Sequence, residues 1–184
     1  MKEISYKAVF LDRDGIINKD FSYVYERRNF IFNEGIFDLL RIFQKNKFLI
    51  FIITNQSGIA RGIYSEKQYN QITNYYRNIL KNLGIRISGI FHCPHHPDFS
   101  ENPFSDCNCR KPKPGLFLKV QKKYNINMVE SIAIGDSLRD LEAAYLSGIQ
   151  KRIFINSISQ ESEYIAMRFE TVKECTKYFQ KLHF

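Results

Sequence analysis

An α/β fold, with a mostly parallel central sheet and helices on both faces, is predicted for this sequence by three observations. Short apolar runs of strand length alternate along the chain with stretches whose apolar residues recur at helical spacing. Connections of that kind cross over right-handed and place helices on both faces of the sheet. Length and composition agree, since 184 residues with 44% hydrophobic and 25% charged fit one folded domain over 1–184 and exclude a disordered or fibrous chain.

The first apolar run, Ala8 to Leu11, ends at once in Asp12-Arg13-Asp14-Gly15, so a buried strand delivers carboxylates to a turn. After Gly35, Ile36, Leu39, Leu40 and Phe43 mark one helical face, and Phe48 to Ile53, rich in Ile and Phe, reads as a central strand. Ser65 with Gln68 forms a capping-box pattern for a long helix carrying Tyr69, Ile72, Tyr76, Ile79, Leu80 and Leu83, which Gly84 stops. Gly89 to Cys93 is a third strand. Pro94 to Pro114 lacks periodicity and reads as a loop of the length that compact domains reserve for function. Leu116, Val120 and Tyr124 then predict a helix, Ile132 to Ile134 a strand ending at Gly135-Asp136, and Leu138 to Leu146 a helix closed by Gly148. Arg152 to Ile155 and Tyr164 to Phe169 are the last strands, and Val172, Cys175, Phe179 and Leu182 line a final helix, where Cys175 packs in the core.

Lys and Arg outnumber Asp and Glu by 27 to 19, for a net charge of +8. That excess favours anionic partners without choosing one, and its scatter in ones and twos reads as a solvated surface. The longest unbroken apolar stretch, Phe48 to Ile53, is too short to span a membrane, and no apolar signal core follows Met1. A cytoplasmic monomer acting on a small molecule, with no membrane or nucleic-acid partner, is therefore expected. Four cysteines in such a chain do not predict a disulfide framework, and three of them cluster near histidines.

In doubly wound folds ligands bind beyond the carboxyl ends of the strands. The polar residues at those ends are Asp12 and Asp14, Thr54 and Asn55, and Asp136. Any one Asp there could merely cap a turn, but several crowded carboxylates repel unless a cation joins them, and Mg2+ characteristically takes carboxylates plus water and substrate phosphate. With Mg2+ on Asp12, Asp14 and Asp136, Asp12 can attack a phosphoryl group as nucleophile. Asp14 can then serve as general acid and base, and Thr54, Asn55 and Lys111 can supply donors and charge to the phosphoryl oxygens.

Asp12-Arg13-Asp14-Gly15, Thr54-Asn55-Gln56-Ser57-Gly58, Arg110-Lys111-Pro112 and Gly135-Asp136-Ser137 together resemble the four ordered motifs of the haloacid dehalogenase phosphatase superfamily. The match extends to its D-glycero-D-manno-heptose 1,7-bisphosphate 7-phosphatase branch through Asn55 to Gly62, Cys93-Pro94-His95-His96-Pro97 and Cys107 to Pro112. The resemblance covers roughly residues 7 to 150. It implies a Rossmann-like fold without a large cap domain and a Mg2+-dependent phosphatase of carbohydrate metabolism, supplying nucleotide-activated heptose for surface polysaccharide such as lipopolysaccharide. It also implies that Asp12 is the nucleophile, Asp14 the acid/base, Asp136 a Mg2+ ligand, and Thr54 and Lys111 the phosphoryl stabilisers. Asn55, Gln56, Ser57 and Arg110 would hold the sugar and its second phosphate, with Asp20 to Tyr23 lining the entrance. Phe21 and Ser22 stand where that branch has His-Gly.

Cys93, His95, Cys107 and Cys109 give C-x-H and C-x-C separated by eleven residues, 96 to 106. Three thiolates and an imidazole make a closed Zn2+ site of the structural kind, folding a loop over 93–109. Spacing alone leaves His92 and His96 as alternative nitrogen ligands, and the resemblance favours His95. Because Arg110 and Lys111 follow Cys109 directly, metal binding would fix their backbone. A histidinol-phosphate phosphatase, which shares these motifs, is the rival enzyme, and the eleven-residue spacer favours the heptose branch. A zinc-containing nucleic-acid-binding module is the rival of another class, but it leaves the three aspartates unexplained.

Overall fold

Six strands lie side by side and parallel, in the order β3-β2-β1-β4-β5-β6. They are β1 (Ala8–Leu11), β2 (Leu49–Asn55), β3 (Gly89–Cys93), β4 (Ile132–Gly135), β5 (Lys151–Ile155) and β6 (Met167–Phe169). The structure is a computed structural model and describes residues 5–101, 104–158 and 160–182. Residues 102 and 103, inside the expected loop 93–109, lie outside that set.

Four α-helices connect strands, α1 (Ile36–Lys45), α2 (Glu66–Asn82), α3 (Gly115–Tyr124) and α4 (Leu138–Leu146), and α5 (Val172–Lys181) follows β6. Side chains alternate across each strand, so β1 feeds two cores. Val9 and Leu11 join Ile50, Ile52, Ile132, Ile134 and Ile153 under α1, α2 and α5. Ala8 and Phe10 join Phe51, Ile53 and Ala133 under α3 and α4. Cys175 is wholly buried in the first of these cores.

The helix starts follow their sequence signals. Ser65 Oγ accepts from Gln68 N at 3.2 Å while Gln68 Oε1 accepts from Ser65 N at 2.8 Å, closing the capping box expected there. Two expectations need correction at element ends. Only Met167–Phe169 of the segment 164–169 joins the sheet, because buried Arg152 draws the carbonyls of Tyr164 (2.8 Å) and Glu163 (3.3 Å) onto its guanidinium. Leu182 lies past the end of α5 and is 40% exposed, so it does not continue that helix's apolar face.

Between β3 and α3 the chain makes its long excursion, which among the described residues carries one short 3-10 turn, Phe104–Asp106. Among the described residues no cap domain rises there. The connection from β1 goes to β2 on one side, while β4 is inserted on the other, so a crevice opens beyond the carboxyl ends of β1 and β4. Asp12 follows the first of these strands and Asp136 the second.

Candidate active site and metal centres

A cavity of about 290 Å³ fills that crevice. Asp12, Asp14, Asp20, Tyr23, Thr54, Asn55, Gln56, Ser57, Lys111 and Asp136, which come from five separate stretches of sequence, all line it. Gly15 lets the turn after β1 come this close. Its φ is +81°, and a Cβ there would sit 1.9 Å from Asp136 Oδ2, so both backbone conformation and space require glycine.

Lys111 would read as a surface residue from its neighbours, yet it is 2% exposed. Its Nζ meets Asp12 Oδ1 at 2.9 Å and Asp140 Oδ1 at 2.6 Å and donates to Ile53 O at 2.7 Å. Burial opposes its charge, but the two carboxylates outweigh that and hold its pKa above the ordinary lysine value. Asn55 clamps the Lys111 backbone from both sides, accepting from Lys111 N at 3.1 Å and donating to Lys111 O at 3.0 Å. Its amide therefore positions the lysine rather than standing free for a sugar.

The carboxylates gathered at the crevice are Asp12, Asp136 and Asp140, whose ligand oxygens lie within 4.8 Å of one another. Burial pushes Asp12 up to about 7, against the pull of Lys111 and with Asp140 and Asp14 adding to it. Burial likewise pushes Asp136 up to about 8, with Asp12 and Asp140 contributing. Three carboxylates against one lysine leave a negative deficit that a hard divalent cation fits. The carboxylate of Asp14, expected among the Mg2+ ligands, lies outside this group, with Arg13, Asn18 and Gln56 around it. Asp140 is in the group. Sequence reasoning did not single out Asp140, although Ser137-x-x-Asp140 has capping-box spacing, and Asp140 Oδ2 does accept from Ser137 N at 3.1 Å.

The other expected contacts divide. Thr54 is 1% exposed, and its Oγ1 accepts from Gln56 Nε2 at 2.9 Å. Gln56 is 2% exposed and spends its amide on protein partners, so it is not a free sugar contact. Asp20 Oδ1 accepts from Ser22 N at 2.8 Å in a tight turn, where Ser22 and Tyr23 both take left-handed φ values of 58° and 54°. A glycine would adopt that conformation at no cost. Arg110 does not line the cavity; its Nη1 donates to His95 O at 3.1 Å. Arg139, unremarked in the sequence, does line it and donates to Ser137 Oγ at 2.9 Å. Burial, with Arg139 and Arg61 nearby, lowers the Arg110 pKa.

Cys93, His95, Cys107 and Cys109 meet in one group. Cys109 Sγ lies 2.9 Å from Cys93 Sγ, 3.2 Å from Cys107 Sγ and 3.4 Å from His95 Nδ1. Thiols and an imidazole converging on a single point are the donor set of a closed zinc site. The alternative histidines are engaged elsewhere. His92 Nε2 pairs with Glu66 at 2.8 Å, and His96 Nε2 meets Arg61 Nη2 at 2.8 Å. No helix among the described residues is long and apolar enough to cross a membrane.

Comparison with known proteins adds names to this geometry. The profile of the family described as polynucleotide kinase 3 phosphatase matches residues 8–173. D-glycero-beta-D-manno-heptose-1,7-bisphosphate 7-phosphatase of Photorhabdus laumondii is 41% identical over 163 residues, covering 86% of this chain and 87% of the relative. The D-glycero-alpha-D-manno-heptose enzyme of Campylobacter jejuni is 40% identical over 175 residues, covering 95% and 96%. Among solved structures, D,D-heptose 1,7-bisphosphate phosphatase from B. bronchiseptica, complexed with magnesium and phosphate, superposes with a TM-score of 0.81 at 28% identity, covering 95% of this chain and 98% of that one.

Proposed function

The chain belongs to the family of D-glycero-D-manno-heptose-1,7-bisphosphate 7-phosphatases, and from that membership we propose that it removes the 7-phosphate of this sugar bisphosphate through an aspartyl-phosphate on Asp12. The observation that carries the reading is the grouping of Asp12 with Lys111, Asp136 and Asp140 in a cavity that Thr54 and Asp14 also line. Arg13 N and Lys111 Nζ both meet Asp12 Oδ1, at 2.8 and 2.9 Å, and in this reading Oδ2 makes the attack. As the oxygen of Asp12 bonds to phosphorus, the bond from phosphorus to the sugar oxygen breaks, and that oxygen takes a proton from Asp14. A water then attacks the phosphorus and gives a proton to Asp14 as the bond from phosphorus to Asp12 breaks, which releases phosphate and restores the Asp12 carboxylate.

Mg2+ held by Asp12, Asp136 and Asp140 would neutralise charge on the phosphoryl oxygens and keep the group in line. Lys111 and the Thr54 hydroxyl stabilise the same oxygens from the protein side. Zn2+ on Cys93, His95, Cys107 and Cys109 would fold the loop that carries Arg110 and Lys111. The second phosphate is assigned to the rim where Arg139 lines the cavity and Arg110 stands near it. The protein works in this reading as a single cytoplasmic domain over 1–184, without a partner chain.

The test is phosphate release with Mg2+ from a panel containing both anomers of heptose 1,7-bisphosphate, histidinol phosphate and a 3′-phosphorylated oligonucleotide. A clear preference for a heptose bisphosphate is expected, and Asp12→Asn should abolish turnover while leaving the fold and zinc content intact. Preference for histidinol phosphate or the oligonucleotide, or near wild-type release by Asp12→Asn, rejects the reading.

A further inference from the structure

Three side chains hold the Asp14 carboxylate, and all three donate to it. Oδ1 accepts from Arg13 Nε at 3.1 Å, Arg13 Nη2 at 2.8 Å and Asn18 Nδ2 at 3.0 Å. Oδ2 accepts from Arg13 Nη2 at 2.7 Å and Gln56 Nε2 at 3.1 Å. Arg13 and Asn18 are wholly buried, so their donors cannot turn to water. Gln56, like Asn18, carries an amide with a donor end and an acceptor end, and only the donor end can face a carboxylate.

The orientation of Gln56 is fixed from its far side. Tyr64 Oη donates to Gln56 Oε1 at 2.6 Å in a buried contact, and Thr54 Oγ1, anchored at the end of β2, accepts from Nε2. Tyr64 is itself immobilised. Its ring stacks on Tyr25 with centroids 5.1 Å apart, and it lies so near Gly58 that a Cβ there would come within 2.1 Å of Tyr64 Cε1. Nothing in the mechanism uses this hydroxyl directly, yet it ends a chain of hydrogen bonds leading to the proton-transfer group.

We propose that Tyr64 is a positioning residue for the reaction, acting through Gln56 to set the place of the Asp14 carboxylate. The proposal rests on the reading of Asp14 as proton donor to the leaving sugar oxygen. Without the hydroxyl, Gln56 Oε1 is a buried acceptor that has lost its donor, and the amide is free to turn that oxygen toward Asp14, where it repels the carboxylate or, once Asp14 is protonated, draws the O–H away from the leaving sugar oxygen. Asp14 then loses a donor and its fixed orientation, and a small displacement of a catalytic group is costly in rate.

Tyr64→Phe tests this, since the phenyl ring keeps the stack on Tyr25 and the fit to Gly58. The quantity to measure is kcat/KM, which covers the steps up to departure of the leaving group. A sugar alkoxide needs the proton from Asp14, whereas p-nitrophenolate leaves without it. Tyr64→Phe should lower kcat/KM for heptose 1,7-bisphosphate about tenfold, the scale of one net hydrogen bond, and that for p-nitrophenyl phosphate by about twofold at most. In a Gln56→Ala background the same substitution should add no further loss. Wild-type kinetics, an equal loss on both substrates, or a loss that persists without Gln56 overturns the proposal. Asp14→Asn is the reference: if it slows both substrates alike, the proton-donor reading fails and the positioning role falls with it. An Asp14→Asn that discriminates beside a Tyr64→Phe that does not overturns the positioning role alone.

Discussion

Lys111 and the acids around it set the electrostatics of the site. One buried lysine faces Asp12 and Asp140, with Asp136 beside them, so with all three acids ionised the charges balance only when a further cation or protons are bound. Asp12 is pushed up to about 7 and Asp136 to about 8, chiefly by burial. Below those values the metal-free carboxyls stay protonated, and a metal must displace the protons to bind. Mg2+ affinity should therefore rise as pH climbs through about 7 to 8 and level off above, with protons released on binding. Titration calorimetry in two buffers of different ionisation enthalpy measures that release. Binding that is independent of pH between 6 and 9, with no proton release, would contradict the assigned ligand set.

Among the elements, the excursion between β3 and α3 matters most to the site although it has little regular structure. Four potential ligand side chains converge there from 93–109, and Arg110 and Lys111 follow the last of them directly. A closed zinc site contributes folding free energy outright, so removal of the metal should loosen the loop and, with it, Arg110 and Lys111. A Cys107→Ser Cys109→Ser double variant should lose zinc, seen by elemental analysis, and lose most phosphatase activity. Added Mg2+ should not restore it. Because the sheet and its helices supply most of both cores, and the loop's Cys107 and Cys109 pack only against the edge of the second, far-ultraviolet circular dichroism should change little. Full zinc retention in the double variant would reject these ligands.

The whole molecule carries a net charge of +8, and an anionic substrate is drawn to it. Arg139 adds positive charge at the cavity rim and Arg110 adds more nearby, and among the described residues neither forms an ion pair with a carboxylate. A bisphosphate should feel that field more than a monophosphate. Its kcat/KM should fall more steeply with ionic strength, and Arg110→Ala should flatten that dependence and cost about 2 kcal/mol on the bisphosphate while hardly touching a simple monophosphate. Equal losses on both substrates would place Arg110 in the service of the loop, through its bond to His95 O, rather than of the second phosphate.

Periodicity alone determined the α/β alternation, since strands buried on both faces and helices with one apolar face leave distinct patterns, and the ends of most elements fall within a residue or two of expectation. Asp12, Thr54, Lys111 and Asp136 were legible because four motifs in order identify a family. The zinc ligands were legible as a set; spacing left His92, His95 and His96 open, the resemblance favoured His95, and in the structure Glu66 and Arg61 engage the first and last. Tertiary structure alone decided that Asp140, not Asp14, joins the carboxylate group, that Gln56 serves Asp14 and Thr54, and that Tyr64 stands behind it. Such roles depend on which way a side chain turns among neighbours from distant segments, and a linear sequence records the residue without recording that direction.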